Sequence, residues 1–77
     1  MTRRLRLWGD WDAAANAANI YLVNPAEVQR FGRTLEIKEQ NGDTVGLLRL
    51  SDDGVAVVLE LINADHQLSE ALQSELG

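Results

Sequence analysis

The second half of the chain alternates between apolar and polar residues, and this period of two predicts a β-meander over about 33–62. Asn41-Gly42 and Asp53-Gly54 are dipeptides that favour two-residue hairpin turns of type I′. With both turns fixed, directly opposed residues share a face, and one face of the sheet becomes apolar. Its residues are Leu35, Ile37, Leu48, Leu50, Val57, Leu59 and Leu61. A slip of one residue would destroy this agreement between the two turns.

The opposite face of the predicted meander is not uniformly polar, although antiparallel sheets often have one hydrated face. It carries an apolar strip of four residues, namely Val45, Leu47, Val58 and Ile62. Charged residues border the strip, namely Glu36, Lys38, Arg49 and Glu60. Apolar patches with a charged rim often mark interfaces. Two interpretations stay open: a helix of the same chain packs on the strip, or another chain does.

Near the start of the chain, residues 3–8 alternate as a strand would, and Gly9 ends the pattern. The sequence therefore predicts an N-terminal strand that joins the meander, followed by a corner. In such a strand Trp8 shares a face with Arg4 and Arg6. An arginine can stack on an indole ring, and such a group can also form the centre of a contact patch.

Two helical segments are predicted between this strand and the meander. The alanines that follow Asp12 favour helix, since alanine has the highest helix propensity. Whether 12–23 is one helix or a helix followed by a strand stays open. Asn24 is a candidate N-cap and Pro25 suits the first helical position, so the sequence predicts a short helix over 25–31.

A final helix is predicted over about 65–76, with Asn63 or Asp65 as its N-cap. Apolar residues recur at helical spacing along it and form one stripe: Leu68, Ala71, Leu72 and Leu76. The predicted fold is therefore α+β, a small single domain over 1–77. It comprises a three-stranded antiparallel meander joined by an N-terminal strand, together with two to three short helices.

Composition limits the classes of protein to which the chain can belong. It has 77 residues, 45% of them hydrophobic, so the sequence predicts a small folded domain and not a disordered one. It contains no cysteine, which excludes disulfides and thiolate metal sites. No apolar run is long enough to span a bilayer and no signal peptide is expected, so a cytoplasmic location is predicted. The net charge is −5, which disfavours general binding to nucleic acid.

No constellation of residues in the sequence indicates catalysis. The single histidine, His66, lies in the first turn of the last helix, where a solvated position is typical. Asp52 and Asp53 adjoin Gly54 and are typical of a turn, because Asp side chains bond to nearby backbone groups there. The sequence lacks the spacing of a calcium loop and of a phosphate-binding glycine loop. We therefore predict no enzyme activity, no metal and no cofactor.

Several short motifs occur in the order seen in one known class of regulators. They are Arg4 and Arg6, Trp8-Gly9, the run from Ile20 to Pro25, GDTV at 42–45, and Asp53-Gly54. This order resembles swapped-hairpin AbrB/MazE-type regulators, although Asp10 replaces their asparagine and an extra strand precedes GDTV. The resemblance implies a dimeric DNA-binding regulator or antitoxin whose Arg4 and Arg6 contact phosphates or base edges.

Small size, acidity and a two-sided apolar sheet together predict a non-catalytic protein-binding module. It would be a phage-type acidic inhibitor that mimics nucleic acid, or an adaptor of a larger complex. The regulator is the first alternative, and a small structural or assembly subunit is the second. A protein partner is expected, a homodimer stays open, nucleic acid is expected only for the regulator, and no membrane is expected. The candidate partner-binding residues are Arg4, Arg6, Trp8, Val45, Leu47, Val58, Ile62, Asp52, Asp53 and Glu60.

Overall fold

Five antiparallel strands form one sheet in the computed structural model of the chain, which describes residues 7–27 and 31–76. The strands are β1 (Trp8–Asp12), β2 (Ala17–Tyr21), β3 (Arg33–Lys38), β4 (Thr44–Leu50) and β5 (Ala56–Ile62). Their spatial order is β1-β2-β5-β4-β3, so the link between β2 and β3 passes two strands in a Greek-key arrangement. Two short helices follow, α1 (Ala64–Gln67) and α2 (Glu70–Leu76).

The predicted fold class, a three-stranded meander with two to three helices, is wrong, because the alanine-rich segment forms a hairpin and not a helix. The Asp12 carboxylate accepts hydrogen bonds from the backbone N–H groups of Ala14 and Ala15, at 3.0 and 3.2 Å. These contacts resemble a helix cap, yet here they close a turn. Asn16 then adopts a left-handed conformation with φ of 52°. The chain reverses, and β2 pairs with both β1 and β5.

The predicted N-terminal strand over 3–8 lies mostly outside the described residues. The strand that is described begins at Trp8 and runs to Asp12, so WGDWD is an edge strand and not the predicted corner. Glycine weakens most strands because it brings no side chain to pack. At Gly9, however, a side chain of α2 occupies the space: a Cβ there would lie 2.8 Å from Leu76 Cδ2.

The predicted register of the meander is largely confirmed. The observed pairs include Leu35 with Leu48, Ile37 with Gly46, Leu48 with Leu59, and Gly46 with Leu61. Side chains of opposed residues share a face, so the predicted apolar face exists. It also extends onto β2 and β1, because Ile20 lies opposite Leu59 and Ala18 lies opposite Leu61.

Both hairpin turns contain three residues, so the prediction of two-residue type I′ turns is wrong. In the first turn Gly42 N–H donates to the carbonyl of Glu39 at 2.9 Å, and Gly42 has φ of 92°. Gly54 adopts φ of 87° at the equivalent position of the second turn. This is a type I turn closed by a left-handed glycine. In each ladder a one-residue shift next to the turn compensates for the extra turn residue, so the predicted pairs farther from the turn are retained. Leu50 lies between the second turn and the shift, and it therefore pairs with Ala56 and not with Val57, its predicted partner.

The predicted helix over 25–31 is represented by one 3-10 turn, Pro25–Glu27. Asn24 caps it as predicted, since its side-chain oxygen accepts the N–H of Ala26 at 3.0 Å. Residues 28–30 lie outside the described ranges, and Phe31 is not helical. Among the described residues, no helix is long and apolar enough to span a bilayer.

The predicted C-terminal helix is interrupted at Leu68, which is extended with φ of −86° and ψ of 137°. The interruption lets the Leu68 side chain enter the core, where it packs with Ala18 and Ala64. Trp11, Leu61 and Leu76 surround this cluster, so the helices cover the predicted apolar face of the sheet, hereafter the helix face. α2 has seven residues and is about 10 Å long, whereas five strands span roughly 19 Å. The helices therefore cover only the β1, β2 and β5 side.

Candidate functional site

The apolar strip predicted as an interface lies on the face opposite the helices. The described helices pack around Ala18 on the other face, and α1 reaches the strip only at its Val45 and Ile62 end, where it lines a hollow beside them. Val58 is only 2% exposed and belongs to the core, so its side chain offers no contact surface. Val45, Leu47 and Ile62 are partly buried. The strip thus exposes less apolar surface than the sequence pattern suggests.

Glu60, a predicted contact residue, is held within the opposite face of the sheet. Its carboxylate forms an ion pair with Arg49 at 3.2 Å, and both side chains are more than two-thirds buried. The Arg49 guanidinium also lies 5.3 Å from the centre of the Phe31 ring. Arg49 is therefore occupied on two sides. Because Glu60 already has this cationic partner, it contributes little free negative charge to a surface that would mimic nucleic acid.

Asp52 and Asp53 lie at the far end of the sheet, in the turn between β4 and β5. The Ser51 hydroxyl donates to the Asp53 carboxylate, and this hydrogen bond holds the pKa of Asp53 below its ordinary value. Asp52 packs closely against the link from β2, since a Cβ on Gly32 would lie 2.6 Å from Asp52 Cα. The structure supports the prediction that Asp52 and Asp53 are turn residues. Neither of them lies next to the apolar strip.

Trp8 marks a third region, at the free edge of β1. Trp8 is 45% exposed and lies directly opposite Tyr21. Burial, followed by the nearby Asp10 carboxylate, raises the pKa of Tyr21 above its ordinary value. Asp10 also accepts a hydrogen bond from Asn19 at 3.0 Å. The predicted neighbours Arg4 and Arg6 lie outside the described residues.

A further exposed apolar surface lies on the helix face at the edge of the sheet, where β3 and β4 extend beyond the reach of the helices. Leu35 and Ile37 on β3 are 42% and 41% exposed. Leu48 and Leu59, the next residues across the sheet from Leu35, are half-buried. We call these four residues the open half-face. Leu72 on α2 is 45% exposed and lines a hollow together with Ile20. Ile20 is the cross-strand neighbour of Leu59, so this hollow adjoins the open half-face.

The sequence analysis did not predict this surface, because it placed Leu35 and Ile37 on the apolar face and proposed the opposite face as the contact surface. The pattern does identify their face correctly. It cannot reveal that β3 is an edge strand, nor that the helix that follows β5 is too short to cover it.

Polar groups near the start of α1 do not form a metal site. His66 lines a hollow together with Glu39 and Asp43, and its side chain is 82% exposed. In the parts of the chain that the structure describes, no three His, Asp or Glu residues are placed to hold a metal ion. Gln67 donates to the carbonyl of Val45 at 2.7 Å and also to that of Ile62. These contacts fix α1 to the sheet and are structural.

The comparisons with known proteins provide no relative from which a role could be transferred. The swapped-hairpin resemblance therefore rests on the short sequence motifs alone. No protein-family model matches the chain, and neither the curated proteins nor the solved structures contain a similar one.

Proposed function

We propose that the chain is a non-catalytic protein-binding module that contacts its partner through the open half-face. The observation that carries this proposal is the exposure of Leu35 and Ile37 beside the half of the helix face that α1 and α2 cover. Contiguous apolar surface of this kind is costly in water and commonly marks a contact site. The proposal includes a cytoplasmic location, which the lack of cysteine supports.

The small core supports the same proposal. Among the described residues, six apolar residues are buried, and two of them are alanines: Ala18, Leu50, Val57, Val58, Ala64 and Leu68. A domain of this size is only marginally stable alone, because it buries a modest fraction of its surface. A partner that covers Leu35 and Ile37 would add apolar burial at a place where the residues that the structure describes supply little.

An inhibitor, an adaptor and an assembly subunit would each bind a different partner, but each could use the open half-face to do so. Acidity alone favours none of them. Asp52 and Asp53 share the turn between β4 and β5, whereas Glu60 lies within β5 and pairs with Arg49, so these three carboxylates do not form one acidic surface that could mimic nucleic acid. The open half-face therefore carries the proposal in place of these acidic residues.

Leu35→Glu tests the proposed surface. The residue is 42% exposed, so the substitution should cost the isolated chain only about 1 kcal/mol of stability. In a complex it would bury a carboxylate against apolar side chains and weaken binding by roughly thirtyfold or more. Affinity capture from an extract of the source organism, followed by titration of the captured protein, measures the change.

Val55→Glu is the matched control, because Val55 is also apolar, is 52% exposed and lies in a turn outside the open half-face. It should bind as the original chain does. A partner that binds the Leu35→Glu and Val55→Glu chains equally well would exclude the open half-face as its contact surface.

A further inference from the structure

The free edge of β3 is the most accessible backbone in the sheet. β3 is the last strand in the order, and all six of its residues are exposed. In the described ranges, no side chain or backbone group beyond β4 bonds to it. An edge strand presents a row of unpaired donors and acceptors that another strand can complete. Two residues of the open half-face, Leu35 and Ile37, belong to this strand.

Charge distinguishes this edge from the one at β1. Every lysine and arginine among the described residues lies on β3 or β4: Arg33, Lys38 and Arg49. Within Trp8–Asp12, the described strand at the β1 edge, Asp10 and Asp12 are accompanied by no cation. Two β1 edges would therefore oppose carboxylates to carboxylates, which is destabilising. The β3 edge carries both signs and can match a copy of itself.

The order of charges along β3 is self-complementary. Glu36 and Lys38 project from the face opposite the helices, and their charged groups lie 3.4 Å apart. An antiparallel two-fold pairing centred on Ile37 would place Glu36 of each copy opposite Lys38 of the other, and would do so twice. On the helix face the same pairing brings the two Ile37 side chains together. A lone lysine at an edge deters strand pairing, but here Glu36 neutralises it.

We propose that β3 pairs antiparallel with β3 of a second copy of this chain, which joins the two sheets edge to edge. This inference rests on the proposed function, and it identifies a second copy of the chain as the partner at the β3 edge. The contact is isologous and closes on itself, so it gives a dimer and not a filament. Leu35 and Ile37 of both copies then line one continuous apolar floor on the helix face.

Two opposite charge reversals test the pairing by sedimentation equilibrium. Glu36→Lys gives an edge with lysine at both positions, and Lys38→Glu gives one with glutamate at both. Each variant alone should self-associate roughly ten- to thirtyfold more weakly than the original chain, because its two cross-strand pairs become repulsive. An equimolar mixture should restore the dimer mass, since the edge with two lysines and the edge with two glutamates are complementary only to each other. Circular dichroism checks that each variant is folded.

Glu70→Lys, an exposed reversal on α2, is the control and should leave the dimer intact. A monomeric original chain at millimolar concentration would overturn the pairing, as would a mixture that stays monomeric or single variants that dimerise normally. These results are separate from the proposed function. A monomer that still captures another protein in a Leu35-dependent manner would retain the binding module while losing the second copy as its partner.

Discussion

Replacing Ala18 with aspartate is expected to abolish cooperative folding of the chain. Ala18 is fully buried where α1 and α2 cross the sheet, with Trp11 and Leu61 as its cross-strand neighbours. No described lysine or arginine lies on β1, β2, β5 or the helices, so a carboxylate there would have no cationic partner among these elements. An unpaired buried charge costs several kcal/mol, which is comparable with the whole stability of a domain this small, about 5 kcal/mol.

Ala71→Asp is the matched control for this substitution, since Ala71 is an exposed alanine on α2. It should lower stability by at most about 0.7 kcal/mol through helix propensity. Far-ultraviolet circular dichroism and thermal melting compare the two. A cooperative melt for the Ala18→Asp chain, close to that of the Ala71→Asp chain, would show that the helices do not pack on β2.

Asn16→Ala should give the second largest loss of stability, about 1.5–4 kcal/mol. Asn16 lies in the β1–β2 turn and caps α1 from a distance: its side-chain oxygen accepts the N–H of Asp65 at 3.0 Å. Its amide nitrogen also donates to the Asp65 carboxylate at 2.6 Å. Loss of such a cap costs about 0.5–2 kcal/mol, and alanine in a left-handed conformation costs roughly a further 1–2 kcal/mol. Chemical denaturation measures the total.

Asn16→Gly separates the two contributions, because glycine adopts φ of 52° without strain. It should be less destabilising than Asn16→Ala by about 1 kcal/mol while still lacking both hydrogen bonds. Equal losses for glycine and alanine would mean that backbone strain at Asn16 is unimportant. No loss for either would contradict the capping of α1 by the β1–β2 turn.

The strands that sequence could predict are those whose partners lie nearby in the chain. β3, β4 and β5 are joined by short turns, so a period of two and two glycine-containing turns were enough to place Leu35 opposite Leu48 and Leu48 opposite Leu59. The wrong turn type did not matter, because a one-residue shift compensates for the extra residue in each turn. Local patterns therefore determine the register of the meander.

The β1–β2 hairpin shows why the rest of the fold could not be predicted. Alanine favours helix locally, yet position 18 needs a small residue because a helix packs directly on the strand there. Asn63 was a predicted cap of the last helix, but it makes no side-chain cap and Asn16 supplies one across 49 positions. The periodicity of apolar residues is a local property, so it contains no information about contacts between residues 49 positions apart.

The candidate site was missed for a related reason. The sequence places Leu35 and Ile37 on the correct face, and the same pattern would make them core residues if β3 were central in the sheet. Strand order decides the outcome, and β3 lies at the edge beyond α2. The predicted strip on the other face is partly buried instead, because Val58 lies within the core and Arg49 pairs with Glu60.

Photo-crosslinking from position 35 tests most directly whether the open half-face contacts another polypeptide. A photoreactive amino acid replaces Leu35 in one chain and Val55 in a control chain, and both are irradiated in the cells that produce them. The proposed surface predicts adducts heavier than the single chain from position 35 and none from position 55. Crosslinks from position 35 that stay entirely within one chain would contradict it, because the chain would then cover its own apolar surface.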